Sequence, residues 1–178
     1  MAYYTGKGDR GATGLLGAGR MAKSDPVFAA IGGVDELNSA IGVALYYTHD
    51  DRVRAMLRSI QNDLFIVGAG LASRKANISK AELGGGAVAR LEGAIDEMGK
   101  QLPPLKKFVL PGGCEAAAHL HAARSIARRA ERSVVEAGRK ARVGANVLAY
   151  MNRLSSYLFV AAIYLNYIEG IKESHPSY

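Results

Sequence analysis

Cysteine is nearly missing from this 178-residue chain, where Cys114 stands alone. No internal disulfide can form and no cysteine-based zinc site can be assembled, so a reducing, cytoplasmic setting is expected. Tryptophan is absent and phenylalanine occurs 4 times, which argues against an aromatic platform for single-stranded nucleic acid. Residues 1–10, MAYYTGKGDR, hold no apolar stretch of the kind a signal-peptide core needs. The longest unbroken apolar run, 157–165, falls short of the roughly 20 residues that cross a bilayer, and the expectation is a soluble chain with no membrane partner. Acid is scarce relative to base: 16 Asp plus Glu against 23 Lys plus Arg leave a net charge of +7. Apolar residues, at 49%, are plentiful enough to build a core and to exclude global disorder.

Two kinds of sequence follow one another. In the first 25 residues Gly6, Gly8, Gly11, Gly14, Gly17 and Gly19 recur every two or three positions, a density no regular helix sustains, since each glycine costs about 1 kcal/mol relative to alanine. After Asp25-Pro26, an N-cap and first-turn pair, helical periodicity takes over. A first helix is predicted over 26–47, with Phe28, Ile31, Val34, Leu37, Ile41 and Leu45 on its apolar stripe. A second, over 51–73, carries Val53, Leu57, Ile60, Leu64, Val67 and Leu71 in alternating steps of four and three, a bundle-type seam. Gly84-Gly85-Gly86 breaks the pattern, and 78–83 could add one helical turn before it. A third helix carries Leu91, Ile95, Met98 and Leu102 and stops at Pro103-Pro104. A fourth, from near Cys114 to about Arg139, has a small-residue seam of Leu120, Ala123, Ala127, Ala130 and Val134. A fifth uses Val147, Met151, Leu154, Leu158, Ala161, Leu165 and Ile168. No segment alternates with period two, so no sheet is predicted. The fold class is all-α: a five-helix bundle preceded by a glycine-rich loop, in one domain spanning 1–178, with 1–25 as the glycine-rich segment, 26–172 helical and 173–178 a tail.

The chemistry-bearing residues cluster in few places. Gly6-x-Gly8-x-x-Gly11 matches a dinucleotide fingerprint only in letters, because that motif works between a strand and a helix of a βαβ unit, and nothing of that kind follows. Thr5, Lys7, Gly8, Asp9, Gly11 and Thr13 nevertheless offer free backbone N–H groups, hydroxyls and a cation, the materials of a phosphate cradle; a tail with a few charges would look the same. On the fourth helix Arg124, Arg128 and Arg132 step by four along one face, joined by Glu131 and, at the top, His121. Residues 119–142 hold seven basic side chains against two acidic ones, 7 − 2 = +5. Clustered arginine suits bidentate contact with phosphate oxygens, although a solvated charged face is the common fate of such runs. On the first helix Asp35 and Asn38 lie beside the apolar stripe and need partners, for which an arginine of the fourth helix is the natural choice. Asn152-Arg153 on the fifth helix poses the same question. No Ser-His-Asp or Cys-His set stands out, His119 and His121 point apart on a helix, and no metal-ligand set is read from the spacing. An enzyme of this composition would supply positive charge and positioning to a reactive atom carried by something bound.

TGKGDRGATGL at 5–15, VDELNS at 34–39, KKFVLPGG at 106–113, LHAARSIARRAER at 120–132 and MNRLSSYLF at 151–159 occur in an order that resembles the ATP:cob(I)alamin adenosyltransferases of the propanediol-utilisation type. The resemblance covers nearly the whole chain. It implies a homotrimer of five-helix bundles with sites between subunits, and a reaction in which the cobalt of a reduced corrinoid attacks the 5′ carbon of ATP, giving adenosylcobalamin and triphosphate. Carried over by position, Thr5, Gly6, Lys7, Gly8, Thr13, Gly14 and Lys23 would hold the phosphates, with Mg²⁺ assisting. Arg128, Glu131, Arg132 and Asn152 would complete the ATP site. Arg124 would pair with Asp35 across a subunit boundary, and Phe108 would press on the corrin and displace its lower axial ligand. A reductase or an adenosylcobalamin-dependent mutase is an implied partner. Lys7 stands one place later than in the commonest family form, Ser156 replaces an aspartate of NRLSDYLF, and Ile66 takes an acidic position. Two readings compete: a basic bundle docking nucleic-acid phosphates, whose affinity would fall steeply with salt, and a nucleotide or corrinoid carrier without turnover.

Overall fold

The computed structural model describes residues 3–15, 17, 19–73, 83–140 and 143–177. A short hairpin, β1 (Ala12–Leu15) and β2 (Gly19–Ala22), precedes five helices: α1 (Pro26–Tyr47), α2 (Asp51–Ala72), α3 (Gly85–Gly99), α4 (Glu115–Ala137) and α5 (Ala145–Ile168). The helix boundaries follow from local chemistry. Asp25 caps α1 by accepting from the Val27 N–H at 3.1 Å, with Pro26 at the first helical position where its missing donor costs nothing. At the other end the Thr48 hydroxyl donates back to the Ala44 carbonyl. Asp50 caps α2 through the Val53 N–H, and the Cys114 sulfur accepts from the Ala117 N–H at the start of α4. The glycine triplet opens α3 rather than interrupting a longer element: Gly84 is the N-cap and Gly85 the first helical residue. The extra helical turn expected at 78–83 falls, apart from Leu83, outside the described residues.

The expectation of no sheet is corrected by the hairpin, an antiparallel pair with Ala12 opposite Ala22 and Leu15 opposite Gly19. Strands of four residues, with glycines inside and between them, are too short and too poor in side chains for a period of two to show. Gly17 and Gly19 take positive φ where the chain reverses.

α1 and α5 flank α4, α2 packs on α1, and α3 packs on α5. The expected seam of α2 is buried at every position from Val53 to Leu71. In α1 the buried stripe is rotated from the expected one. Val27, Ala30, Val34, Leu37, Ile41 and Ala44 face inward, while Phe28, Ile31 and Leu45 are half-buried. The reason is close approach: a Cβ on Gly33 would lie 3.4 Å from the Ala130 Cα, so the faces where α1 meets α4 are made of small residues. The Ala123, Ala127, Ala130 and Val134 seam of α4 is fully buried. One polar knot crosses the bundle: Asp63 of α2 accepts from the Tyr150 hydroxyl of α5 at 2.8 Å and pairs with Arg90 of α3 at 2.5 Å. By length and mean hydropathy α1 alone among the described helices passes the test for a membrane span. It also carries Asp35 and Glu36 mid-length and packs between two neighbours, as a bundle helix does.

Candidate functional site

The alanine seam of α4 decides where its arginines go. With Ala123, Ala127 and Ala130 turned into the bundle, the side chains one position on, Arg124, Arg128 and Glu131, emerge together on the side that meets α5. Two adjoining recesses result. One, of about 230 Å³, is lined by Arg124, Arg128, Ser155, Ser156, Phe159 and Val160. The other, of about 410 Å³, is lined by Arg128, Arg132 and Arg139 with Glu131, Glu136 and Asn152 among its walls. Arg128 is common to both. The Asn152 amide donates to Glu131 at 3.0 Å, which orients the carboxylate within the cationic wall, and Arg139 pairs with Glu136 at 3.1 Å. Arg128 and Arg132 are exposed and take part in no ion pair among the described residues. A surface with this excess of free guanidinium groups is suited to an extended polyanion.

Deeper along the same face Arg124 is half-buried, and its Nε has no hydrogen-bond partner among the described residues. His121, 3% exposed, likewise leaves both ring nitrogens without a partner among the described residues and sets its ring edge-on to Phe159 at 6.0 Å. Burial, and then the neighbouring Arg124 charge, hold the His121 pKa below its ordinary value, so the ring is neutral at pH 7. His119 turns the other way and stacks on Tyr47 at 4.7 Å.

The pairing expected for α1 is different in detail. Glu36, not Asp35, takes an α4 arginine, bonding Arg129 at 2.5 Å. Asn38 turns toward α2, exchanging contacts with Gln61. Asp35 is exposed and joins no ion pair among the described residues. Side chains one and two positions apart leave the helix in separate directions, so the run Asp35-Glu36-Leu37-Asn38 serves solvent, α4, core and α2 in turn.

The glycine-rich segment folds on itself, and its described residues line neither recess. Gly6 and Gly11 take positive φ, and the Lys23 N–H donates to the Gly11 carbonyl at 2.8 Å. The Lys23 side chain lies over Gly8, where a Cβ would come within 3.1 Å of its Nζ. The Thr5 hydroxyl accepts from the Lys7 N–H at 3.4 Å. Arg20, which no motif singles out, donates to the carbonyls of Lys7 and of Ala12 and so closes the loop. Thr13 and Gly14 sit on β1. Phe108 stands 79% exposed in the segment before α4, beyond both recesses. Arg124, Arg128, Glu131, Arg132 and Asn152 are therefore brought together within one chain, whereas Asp35, Phe108 and the glycine loop are not.

Among the described residues no group of three or more His, Cys, Asp or Glu side chains converges as a metal site would. The half-buried Cys114 thiol caps α4, and burial, the largest cause, pushes its pKa above the ordinary value and so disfavours the thiolate.

Residues 3–165 match the family described as cobalamin adenosyltransferase. The chain is 40% identical over 164 residues to the corrinoid adenosyltransferase PduO of Salmonella typhimurium, covering 91% of this chain but about half, 49%, of that protein. It is 43% identical to the corrinoid adenosyltransferase of Bacillus subtilis, covering 96% of this chain and 90% of that one. Among solved structures, a variant of the PduO-type ATP:corrinoid adenosyltransferase from Lactobacillus reuteri, complexed with cobalamin and ATP, superposes with a TM-score of 0.93 at 36% identity, covering 99% of this chain and 100% of that chain. The five helices, the arginine face and a match of this extent agree: the chain belongs to the cobalamin adenosyltransferase family.

Proposed function

We propose that this chain transfers the 5′-deoxyadenosyl group of ATP to the cobalt of cob(I)alamin, giving adenosylcobalamin and free triphosphate. The observation that carries the proposal is the contiguous arginine face of α4, Arg124, Arg128 and Arg132, opening onto two adjoining recesses with Asn152 and Glu131 in the wall, on a chain whose relative binds cobalamin and ATP. In this reaction a cobalt–carbon bond forms as the bond between C5′ and its phosphate oxygen breaks, and the electron pair of that bond leaves with the triphosphate. Cobalt is the nucleophile, so no protein base is required. The protein must instead steady the negative charge that builds on the leaving chain of phosphates, which fixed cations near the leaving group do best. Arg128, shared by both recesses, is assigned to that charge together with Arg132. Glu131, held by Asn152, orients the nucleotide.

The second half of the site is assigned to a neighbouring protomer of a homotrimer. Thr5, Gly6, Lys7, Gly8, Thr13, Gly14 and Lys23 form a loop with the donors and cations of a phosphate cradle, yet it faces neither recess of its own chain. Among the described residues Arg124 Nε has no partner and Asp35 joins no ion pair, and the proposal joins them across the subunit boundary. Mg²⁺ is assigned to the nucleotide's phosphates. It commonly needs only one or two protein carboxylates beside phosphate oxygens and water, and Glu131 and Glu136 beside the second recess fit that requirement. There it would neutralise phosphate charge. Phe108, exposed at the end of the bundle where α4 begins, is assigned to the corrin face. A reductase, or a mutase that uses the product, is the partner this chemistry calls for, in a reducing cytoplasm.

The test is direct. Protein, ATP and Mg²⁺ are mixed with chemically reduced cobalamin and the corrin absorbance is followed. Conversion to adenosylcobalamin with stoichiometric triphosphate supports the assignment; ATP binding without conversion identifies a carrier and overturns it. Light scattering at three times the 18.9 kDa chain mass supports the trimer, and a monomer active at all concentrations refutes the shared site.

A further inference from the structure

The 106–113 segment that carries Phe108 has almost no apolar support of its own. Phe108 is 79% exposed, and Leu105 and Leu110 are also among the exposed apolar side chains. A ring presented this way is placed by whatever holds its backbone. Three ties are present. The His175 Nδ1–H donates to the Phe108 carbonyl at 2.8 Å, the Leu110 N–H donates to the Ser174 carbonyl at 2.8 Å, and the Asn166 amide holds the far end.

Asn166 is the centre of this arrangement. It lies 1% exposed near the end of α5, directly after the buried run Ala161 to Leu165. Its Nδ2 donates to the Gly112 carbonyl at 3.2 Å and to Glu173 Oε1 at 3.0 Å, and its Oδ1 accepts from the Cys114 N–H at 3.0 Å. Its own carbonyl accepts from the Ile171 N–H at 2.8 Å, which turns the chain back after α5. One side chain thus ties the end of the Phe108 segment, the N–H of Cys114 at the cap of α4 and the returning tail. Gly113 makes the fit possible. Its φ is +107°, and a Cβ there would lie 2.0–2.4 Å from the Asn166 amide atoms, so only glycine lets the segment close on the amide. Burying an amide in an apolar helix face costs stability unless its bonds are made. Here those bonds go entirely to the Phe108 segment, to the cap of α4 and to the tail.

We infer that Asn166 is a positioning residue for the corrin step: its amide fixes the 106–113 segment so that Phe108 is held out at a set place and angle without packing around it. The inference rests on the assignment of Phe108 to the corrin face, and the experiment separates the two. Asn166→Leu, Glu173→Ala, Phe108→Ala and the unmodified full chain are compared. ATP affinity is measured by calorimetry, and KM and kcat are measured for reduced cobalamin. The visible and electron paramagnetic resonance spectra of cob(II)alamin bound in the presence of ATP report loss of the axial ligand. In Asn166→Leu, ATP affinity stays within about twofold, while the fraction of cob(II)alamin showing the altered spectrum and kcat fall about tenfold, in parallel with Phe108→Ala. Glu173→Ala removes one of the three amide contacts, made by a half-buried residue of the tail, without touching the bundle, and gives a smaller loss in the same direction. If Asn166→Leu destabilises the fold, Glu173→Ala decides. Spectra unchanged in Glu173→Ala and in any folded Asn166→Leu, while Phe108→Ala loses the signal, overturn the inference alone. A signal unchanged in Phe108→Ala overturns both it and the assignment beneath it.

Discussion

Replacing Arg128 by alanine isolates the central electrostatic claim. The side chain is exposed, forms no ion pair among the described residues and lies on the outer face of a helix whose buried seam is alanine, so its loss leaves stability within about 0.5 kcal/mol. Catalysis responds differently. Arg128 is the one residue common to both recesses, and a hydrogen bond to a charged phosphate oxygen is worth about 1.5–3 kcal/mol. If that contact strengthens as the triphosphate leaves, kcat/KM falls roughly 10- to 150-fold, at about 1.36 kcal/mol per decade. Arg128→Lys recovers part of this, because a point charge cannot reproduce the bidentate fork. Arg139→Ala, at a residue already paired with Glu136, changes kcat/KM less than about threefold. The assay is the corrin absorbance change under saturating and limiting ATP, with circular dichroism on each variant. Unchanged kinetics in a folded Arg128→Ala protein, or an equal loss in Arg139→Ala, would show that the arginine face is only a solvated surface.

Three further outcomes follow from the packing. Tyr150→Phe removes the 2.8 Å bond to Asp63 and leaves that buried carboxylate with Arg90 as its one side-chain partner among the described residues. The cost is about 1.5–3 kcal/mol, read as a fall in Tm of roughly 3–12 °C by calorimetry; a change under 1 °C, itself roughly the scatter of such scans, contradicts it. His121 is held neutral, chiefly by burial and then by Arg124, so its folded pKa lies below the ordinary 6.5. As pH falls through about 6.5 the unfolded chain takes up this proton first, and stability declines until the lowered folded pKa is reached. His121→Leu flattens the acid limb of Tm against pH, and parallel curves for the two proteins exclude the explanation. The Cys114 thiol, with a raised pKa, reacts with a disulfide reagent at pH 7 more slowly than free cysteine; a rate equal to the free amino acid's goes against burial as the cause.

Periodic segments were readable because packing and pattern agree in them. The steps of four and three in α2 are the residues that are buried, and Asp25-Pro26 opens α1 because the carboxylate and the imide ring satisfy the same free helix end. The Arg124, Arg128, Arg132 stripe was legible for the same reason, since a fourfold step on a helix puts groups side by side wherever the helix lies. Features set by another element were not legible. Nothing in the spacing says that Glu36 and not Asp35 meets α4, or that Asn38 turns to α2, because a helix rotated by one residue exchanges those roles. Gly33 against Ala130 fixes that rotation, and it is a contact between residues far apart in the chain. Arg20 and Asn166 escaped for a related reason: each acts through carbonyl and amide groups of the backbone, which carry no residue code. An amide interrupting the apolar run 157–168 was the one available sign of Asn166.

The polar face of α4 owes its geometry to its apolar one. Stabilising a departing polyanion requires donors already aimed before the reaction begins, since reorienting them costs the energy they would supply. Arginine has a long and rotamer-rich side chain, so its aim depends on a backbone that cannot roll. Ala123, Ala127 and Ala130 are fully buried between α1 and α5, and the methyl-sized seam leaves no room for α4 to rotate or slide without opening voids. A larger residue at Ala127 would push α4 away from its neighbours and turn Arg124 and Arg128 together, although no charged residue had been replaced. The smallest side chains of the helix therefore control the largest, and damage to the arginine site can arise at positions that never touch a substrate.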